Sequence, residues 1–366
     1  MHPLLGNLDW RGFLARPALA SPPPQALELL RREPILITGA GGSIGAALAL
    51  RLGALGPPKL ILLETSESQL YTLERDWAAS GAACTMIPIL GNAGDEALLE
   101  EIFFHHSPRI VYHAAAFKHV PLMEEHPLAA IENNILGSGV LVRVATAHGA
   151  RVVLLSTDKA VQPASVMGAS KRVSEQIVLA AGGTVMRLGN VLHSSNNVAE
   201  VFARQIKQGG PLTVTSPESR RYFVTIDEAV NLLLTAALAS PRALLAPILP
   251  SQHRIQELAQ FMAQALAPER AIAIHFTGLR PGDKEAEELW SAEERFHSSS
   301  LDGLLVVEGT LPSASQLAGR LASLRAAHDA RNLSEALTHL CALVPEYTPG
   351  PSVLALSAKS SPQVSA

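Results

Sequence analysis

Short apolar runs recur along the first half of the chain, each ending on small or polar residues and followed by apolar positions at helical spacing. Ile35-Leu36-Ile37, Leu60-Ile61-Leu62-Leu63, the stretch from Met86 to Leu90, that from Arg109 to His113, and Val152-Val153-Leu154-Leu155 read as strands. Unbroken β-branched and leucine runs of this kind are buried on both faces, the condition of strands inside a parallel sheet. Between them, Ala46 to Leu55, Asp95 to His105 and the segment after Gln162-Pro163 carry helical patterns. The predicted class is α/β with a doubly wound parallel sheet.

Beyond Arg187-Leu188-Gly189-Asn190 the regular alternation stops, which predicts a smaller, mostly C-terminal substrate-binding lobe. Asn197 to Gln208 reads as loop and helix, Pro211 to Thr215 as an extended run, and Ser219-Arg220-Arg221-Tyr222 as a basic turn. A helix from Asp227 to Leu238, with Ile226, Val230, Leu233 and Leu234 along one side, is expected to pack back on the sheet. Residues 254–267 pattern as an amphipathic helix and 315–343 as helices closing the lobe. Leu19 to Gln25, LASPPPQ, is expected to break any regular element in the lead-in, and the Ser-, Ala- and Lys-rich tail after Pro351 to be disordered.

The first strand runs into TGAGGSIG, with Gly39, Gly42 and Gly45 at G-x-x-G-x-x-G spacing and a helix directly after. Glycines there let the backbone turn tightly, approach a pyrophosphate and aim a helix N-terminus at its charge, so the fold expected is Rossmann-type. The second strand ends on Glu64, at the distance from the glycines where an acid accepts hydrogen bonds from an adenosine ribose. No Arg or Lys in the glycine loop greets a 2′-phosphate, so NAD is expected over NADP. The expected boundaries are a lead-in at 1–33, an NAD-binding domain at 34–190 with 223–250 packing back on it, a substrate lobe from 191–222 and 251–350, and a tail at 351–366.

The fifth run ends on Ser156-Thr157-Asp158-Lys159, hydroxyls, a carboxylate and an amine just past a strand's carboxyl end, where open α/β sheets bind ligands. Met167 and Lys171 follow four apart on one helix face. Small residues Ala114 to Ala116 let a dinucleotide lie close to the backbone, with Lys118 and His119 reaching over it.

Composition narrows the classes. With 366 residues and 48% apolar content the chain can bury a sizeable core, and a net charge of −4 without a basic run argues against a nucleic-acid partner. Cys84 and Cys341 have no metal-ligand spacing, nor do His113, His119 and His126, so no metal is expected and a reduced, cytoplasmic protein is the default. No signal peptide and no membrane-spanning apolar window is read from the sequence. A homo-oligomer is expected.

A Ser/Thr after a central strand, followed by Tyr-x-x-x-Lys on a helix, marks short-chain dehydrogenases/reductases, and this chain resembles them with Met167 in place of the tyrosine. The strings TGAGGSIG, ETSESQLY, AAAFKHVPLMEEHP, ENNILGSG, STDKAVQPASVMGASKR, RLGNVL, RRYFVTIDEAV and TGLRPGDKEAEEL, in this order, resemble the capsule and polysaccharide-biosynthesis nucleotide-sugar 4,6-dehydratases over nearly the whole chain. The lead-in around Leu4 to Phe13 and LVPEYTP (Leu343 to Pro349) are similar as well. The resemblance implies an extended short-chain dehydrogenase fold, a tightly held NAD and a UDP-N-acetylhexosamine substrate. It implies Asp158 as the acid at the C6 hydroxyl, Lys159 as the base at C5, Thr157 at the C4 oxygen, and Lys171 on the nicotinamide ribose. The implied cofactor contacts are Gly39, Gly42, Ser43, Ile44, Gly45, Glu64, Asn92, Ala114, Ala115, Lys118, Asn134 and Lys171. At the sugar nucleotide they are Lys118, His119, Asn190, Arg221 and Arg280, guanidinium groups suiting diphosphate oxygens; the plain alternative for either arginine is a surface ion pair.

Two tensions accompany this reading. A lysine base must be neutral, yet its ordinary pKa of about 10.4 is raised by a neighbouring carboxylate. Met167 cannot move a proton and is ordinarily a core residue, so it shapes the pocket and leaves Thr157 and Asp158, through a water, as candidates for the C4 proton. The sequence also departs from the family at His193, Asn196-Asn197, Asn92, Ile248 to His253 and Ala286, which keeps two alternatives open, a nucleotide-sugar 4-epimerase and a non-catalytic dinucleotide-binding scaffold.

Overall fold

The apolar runs assemble into one nine-stranded sheet in the computed structural model, which describes residues 5–6, 8–82, 84–192, 194 and 197–360. Strands β1 (Ile35–Thr38), β2 (Leu60–Glu64), β3 (Met86–Leu90), β4 (Ile110–His113), β5 (Arg151–Thr157) and β6 (Thr184–Leu188) lie in the order β3-β2-β1-β4-β5-β6 and are parallel. Leu244–Pro247 extends the sheet in parallel beside β6, and Leu304–Glu308 and Arg295–Ser298 close that edge as antiparallel strands. The order reverses between β1 and β4, so the chain leaves these two neighbours in opposite directions and a crevice opens at their carboxyl ends. This is a Rossmann-type sheet.

Alternate residues of each strand face opposite layers, and both layers are apolar. Leu36, Ile61, Val111, Val152 and Val185 pack with Leu99, Leu141, Val144 and Val173 from the helices on one side. Ile35, Ile37, Leu62, Val153 and Met186 pack with Leu48, Leu52, Val230 and Leu233 from helices Ser43–Leu55 and Ile226–Ala236 on the other. Burial on both faces explains why these strands read as unbroken apolar runs.

Several expectations need correction. The proline run does not simply interrupt structure, because Pro24 opens helix Pro24–Arg32 at its first turn, where the missing N–H costs nothing. A second helix, Trp10–Leu14, enters a third core with Leu192, Phe202, Leu212, Phe223, Leu258 and Met262. Of the tail expected to be disordered, residues 351–360 instead form helix Pro351–Ser360, with Val353 fully buried, and 361–366 lie outside the described residues. Helix Pro127–Ala147 is long and apolar enough to cross a membrane by length and composition, where no such window was expected; 56% of its 18-residue apolar window is buried within the protein. His193, Asn196 and Leu4 lie outside the described residues, and Asn197 caps helix Val198–Lys207 by accepting from the amide of Glu200 at 2.9 Å.

The sheet also buries an ion network. Arg187 on β6 is fully buried, and all five of its N–H donors find acceptors: both Glu175 oxygens at 2.9 Å, both Glu294 oxygens at 2.7 and 2.9 Å, and the Leu289 carbonyl at 3.0 Å. Arg172 joins from outside, 3.1 Å from Glu175 and 2.9 Å from Glu294. Burial alone would raise the Glu294 carboxyl, but the two guanidinium groups hold it down at about 2.

Replacing Arg187 by Met should therefore destabilise the protein by about 3–5 kcal/mol in urea unfolding, because two buried carboxylates lose their fully buried partner and keep only Arg172. The depressed Glu294 contributes stability that is complete above the ordinary glutamate pKa of about 4.3 and is lost as pH falls towards 2. Unfolding of Arg187→Met should accordingly be less steep in this acid window than that of the wild type.

Candidate active site

Three loops meet at the crevice. The first follows β1, where Gly39 takes a left-handed φ of +67° and a methyl added there would sit 2.7 Å from the backbone of Ala115. That close approach binds the glycine loop to the second loop, Ala114 to Lys118 after β4, through the amide of Ala114 donating to the Thr38 carbonyl at 3.1 Å. Helix Ser43–Leu55 begins on Gly42 with no side-chain cap and no acid in its first turn, so Ser43, Ile44 and Gly45 present an amide-rich start suited to a pyrophosphate. Glu64 reaches across from β2 and is nearly buried; its carboxylate accepts from the amides of Gly41 at 2.9 Å, Thr65 at 2.9 Å and Ser66 at 3.0 Å. It thus braces the glycine loop as well as placing a negative charge beside it.

The third loop follows β5, where a hydrophobic strand ends in a tight turn over Asp158–Ala160 and then helix Val166–Ala180. Helix and turn lie so close that a methyl on Gly168 would sit 2.3 Å from the Lys159 carbonyl oxygen. Ser165 and Glu124 cap the helix, accepting from the amides of Gly168 at 3.1 Å and Val166 at 2.7 Å. Asp158 is fully buried: Oδ1 accepts from the Thr157 hydroxyl and from Lys159 Nζ, each at 2.9 Å, and Oδ2 has no partner. Lys159 also donates to Asn190 Oδ1 at 3.1 Å and lies 3.6 Å from Glu287 Oε1. Burial works to neutralise this lysine, but Asp158 and Glu287 outweigh it and raise its pKa. Lys171 is buried without so close an anion, and burial pushes it down to about 8 against the pull of Glu175.

The remaining expected residues separate. Met167 is 3% exposed and packs in the core with Val166, Ala169 and Val173. Asn134 sits in wide π-type turns over Ile131–Leu136, and its amide bonds to the Phe117 N–H and carbonyl and to the Ser170 hydroxyl, which shapes the second loop. The side-chain oxygen of Asn92 accepts from Gly94 within its own turn, at 2.7 Å. Burial lowers the Lys118 ammonium against the pull of Glu200, and burial with Lys118 lowers His119. Of the three choices for the UDP end, Asn190 belongs beside Lys159, whereas Arg221 donates to the carbonyls of Arg220, Lys284 and Glu285 and so holds the chain's own loop. Arg280 is exposed and pairs with Asp283 at 2.8 Å.

Sequence reasoning missed Glu287, which is 2% exposed in a stretch whose charge density reads as a solvated face. It also missed His113 as a core residue: its ring nitrogens bridge Thr38 at 2.7 Å and Ser138 at 2.8 Å, and burial followed by the Lys171 charge holds it at about 3, hence neutral.

Residues 35–308 match the family model described as polysaccharide biosynthesis protein. The chain is 38% identical over 276 residues to the capsular polysaccharide biosynthesis protein CapD of Staphylococcus aureus, covering 72% of this chain and 46% of that protein, so it spans about half the length of this curated relative. It is 31% identical over 281 residues to a UDP-glucose 4-epimerase of Rickettsia rickettsii, 73% of this chain and 80% of the relative. Among solved structures, DesIV from Streptomyces venezuelae, a dTDP-glucose 4,6-dehydratase with NAD and TYD bound, superposes with a TM-score of 0.59 at 19% identity, over 69% of this chain and 87% of that one, a likeness of fold. Because the family match runs from β1 to the end of strand Leu304–Glu308, it takes in the whole sheet and the entire constellation from Thr157 to Lys171, and the chain belongs to the polysaccharide biosynthesis protein family.

Proposed function

We propose that this chain is an NAD-dependent nucleotide-sugar 4,6-dehydratase acting on a UDP-N-acetylhexosamine, UDP-GlcNAc being the substrate of choice, in surface polysaccharide synthesis. The observation that carries the reading is the Thr157, Asp158 and Lys159 cluster, a hydroxyl, a buried carboxylate with one unpartnered oxygen and an amine at the carboxyl end of a central strand. The tight backbone cradle between Gly39 and Ala115, the uncapped helix start and the Glu64 carboxylate suit a dinucleotide. When bound, NAD supplies reversible storage of the C4 hydrogen, which makes the C5 proton acidic and is later returned to C6.

The residues divide the rest of the work. Thr157 accepts the C4 hydroxyl proton while its own hydroxyl, already bonded to Asp158 Oδ1, passes a proton to the carboxylate. Asp158 is thereby charged as the acid that the C6 hydroxyl needs, and a proton carrier at Met167 is not required. Lys159 removes the C5 proton, and Lys171, with its pKa near 8, favours the deprotonated C4 oxygen through its charge. The 4-epimerase reading is favoured by the rickettsial relative. Inversion at C4 alone gives a buried Asp158–Lys159 pair no task, which weighs for dehydration.

UDP-GlcNAc carrying deuterium at C4 should yield a UDP-4-keto-6-deoxy sugar, lighter by one water, with the label in its C6 methyl group; label retained at C4 without loss of water would establish the epimerase instead. Asp158→Asn and Lys159→Ala should each lower turnover by about 10²–10⁴-fold with NAD affinity nearly unchanged. Lys171→Ala should weaken both cofactor binding and turnover, and wild-type turnover in Asp158→Asn would remove the acid assignment. In titrations of cofactor-free protein NAD should bind more tightly than NADP, since a 2′-phosphate meets the Glu64 carboxylate. Glu64→Ala should narrow that gap and, by releasing the Gly41 amide, loosen both.

A further inference from the structure

We infer that Glu287 is a positioning residue for the proposed dehydration, the carboxylate that holds the Lys159 proton while the lysine acts as base at C5. The inference rests on the dehydratase reading. Among the described residues Lys159 has two carboxylates within reach, Asp158 Oδ1 at 2.9 Å and Glu287 Oε1 at 3.6 Å, and its one further polar side-chain contact is Asn190 Oδ1, which accepts and cannot take a proton. Asp158 is not available for the lysine proton at the moment of elimination, because it then carries the proton destined for the C6 hydroxyl. Glu287 is the carboxylate that remains, 2% exposed, at a separation that the flexible lysine stem can close. The charged groups around it are Lys284, 2.9 Å from Oε2, Arg221, 3.9 Å from Oε1, and Lys159 itself.

The protons then balance. At rest Asp158 and Glu287 are carboxylates and Lys159 is an ammonium. The C4 hydroxyl proton arrives on Asp158 through Thr157, and the Lys159 proton moves to Glu287. Neutral Lys159 takes the C5 proton, the C5–H electron pair becomes the C5–C6 double bond, and the C6–O bond breaks with its pair onto the oxygen that Asp158 protonates, releasing water. When the stored C4 hydrogen returns to C6, Lys159 gives a proton back to C5 and Glu287 gives its own back to Lys159. All three groups end as they began.

The test follows C5 directly. NAD-loaded protein carrying Asp158→Asn, whose neutral amide stands for the protonated acid and cannot take the lysine proton, is incubated in D₂O with the UDP-4-keto-6-deoxy-N-acetylhexosamine, and deuterium entering C5 is read by NMR, an exchange that needs the lysine and its proton acceptor but neither the C6 acid nor net oxidation or reduction. With Glu287 intact, exchange should be nearly independent of pH from about 6 to 8, since the lysine proton stays within the site. With Glu287→Gln added it should fall about 100-fold at neutral pH and then rise about tenfold per pH unit, because Lys159 must now lose its proton to solvent. Glu287→Asp in the same background should restore part of the rate and the flat profile. Unchanged exchange on adding Glu287→Gln, or a loss that is equally deep at every pH, overturns the role. Should Glu287→Gln not fold, Lys284→Met keeps the carboxylate, removes the cation that competes for it and should speed exchange several-fold; an unchanged or slower rate overturns the role as well. Wild-type protein that neither exchanges C5 nor dehydrates UDP-GlcNAc would refute the dehydratase reading itself.

Discussion

Charge buried at the carboxyl ends of β5 and β6 must be matched where it stands, and that requirement ties the site to the rest of the chain. Asp158 is fully buried beside Lys159, and Arg187 is fully buried one strand away. An unpaired ion in such a position costs several kcal/mol, and Lys159 and Arg187 take partners from distant segments. Glu175 comes from the helix that carries Lys171, and Glu287 and Glu294 come from one C-terminal stretch. Glu294, Arg221 and the Leu289 carbonyl anchor that stretch at several points, so Glu287 is delivered to Lys159 by a segment with little freedom to withdraw.

The same economy of contact governs the crevice between β1 and β4. At the carboxyl ends of the parallel strands, backbone approaches backbone without intervening side chains. Gly39 against Ala115 and Gly168 against the Lys159 carbonyl are two such approaches, and in each a single methyl group would push apart elements that hold reactive side chains. His113 stays neutral and bridges β1 to helix Gly137–Ala147, so the floor between the glycine loop and Lys171 carries no competing positive charge from it.

The start of the lead-in packs in the third core, whereas Leu30 of helix Pro24–Arg32 packs with the sheet. Trp10 and Phe13 pack around Phe261, and Arg16 forms two bonds, at 2.6 and 2.8 Å, to Glu228, which also accepts from the Leu19 and Thr225 amides. Glu228 caps helix Ile226–Ala236, whose apolar side packs on the sheet. One buried carboxylate therefore joins the lead-in, the turn after Arg221 and the central layer.

The sheet was legible in the sequence because two-sided burial leaves a local signature: Ile35 to Ile37, Leu60 to Leu63 and Val152 to Leu155 need only their own residues to declare themselves. The glycine loop and the Thr157, Asp158 and Lys159 cluster were legible for a related reason, since their chemistry lies in consecutive residues after a strand. Pairings between remote segments left no such mark. Glu287 lies among charges that read as surface, the bonds of Arg221 to the carbonyls of Lys284 and Glu285 follow no local pattern, and Asn134 reveals its bond to Phe117 only once the π-type turns bring it inward. The tail was misread on composition, because its polar residues conceal Val353, whose partner surface comes from elsewhere in the fold. Local patterning determined the strands, the glycine loop and the run of hydroxyl, carboxylate and amine after β5; the tertiary structure decided which buried charges meet, because charge pairing acts through space and carries no period along the chain.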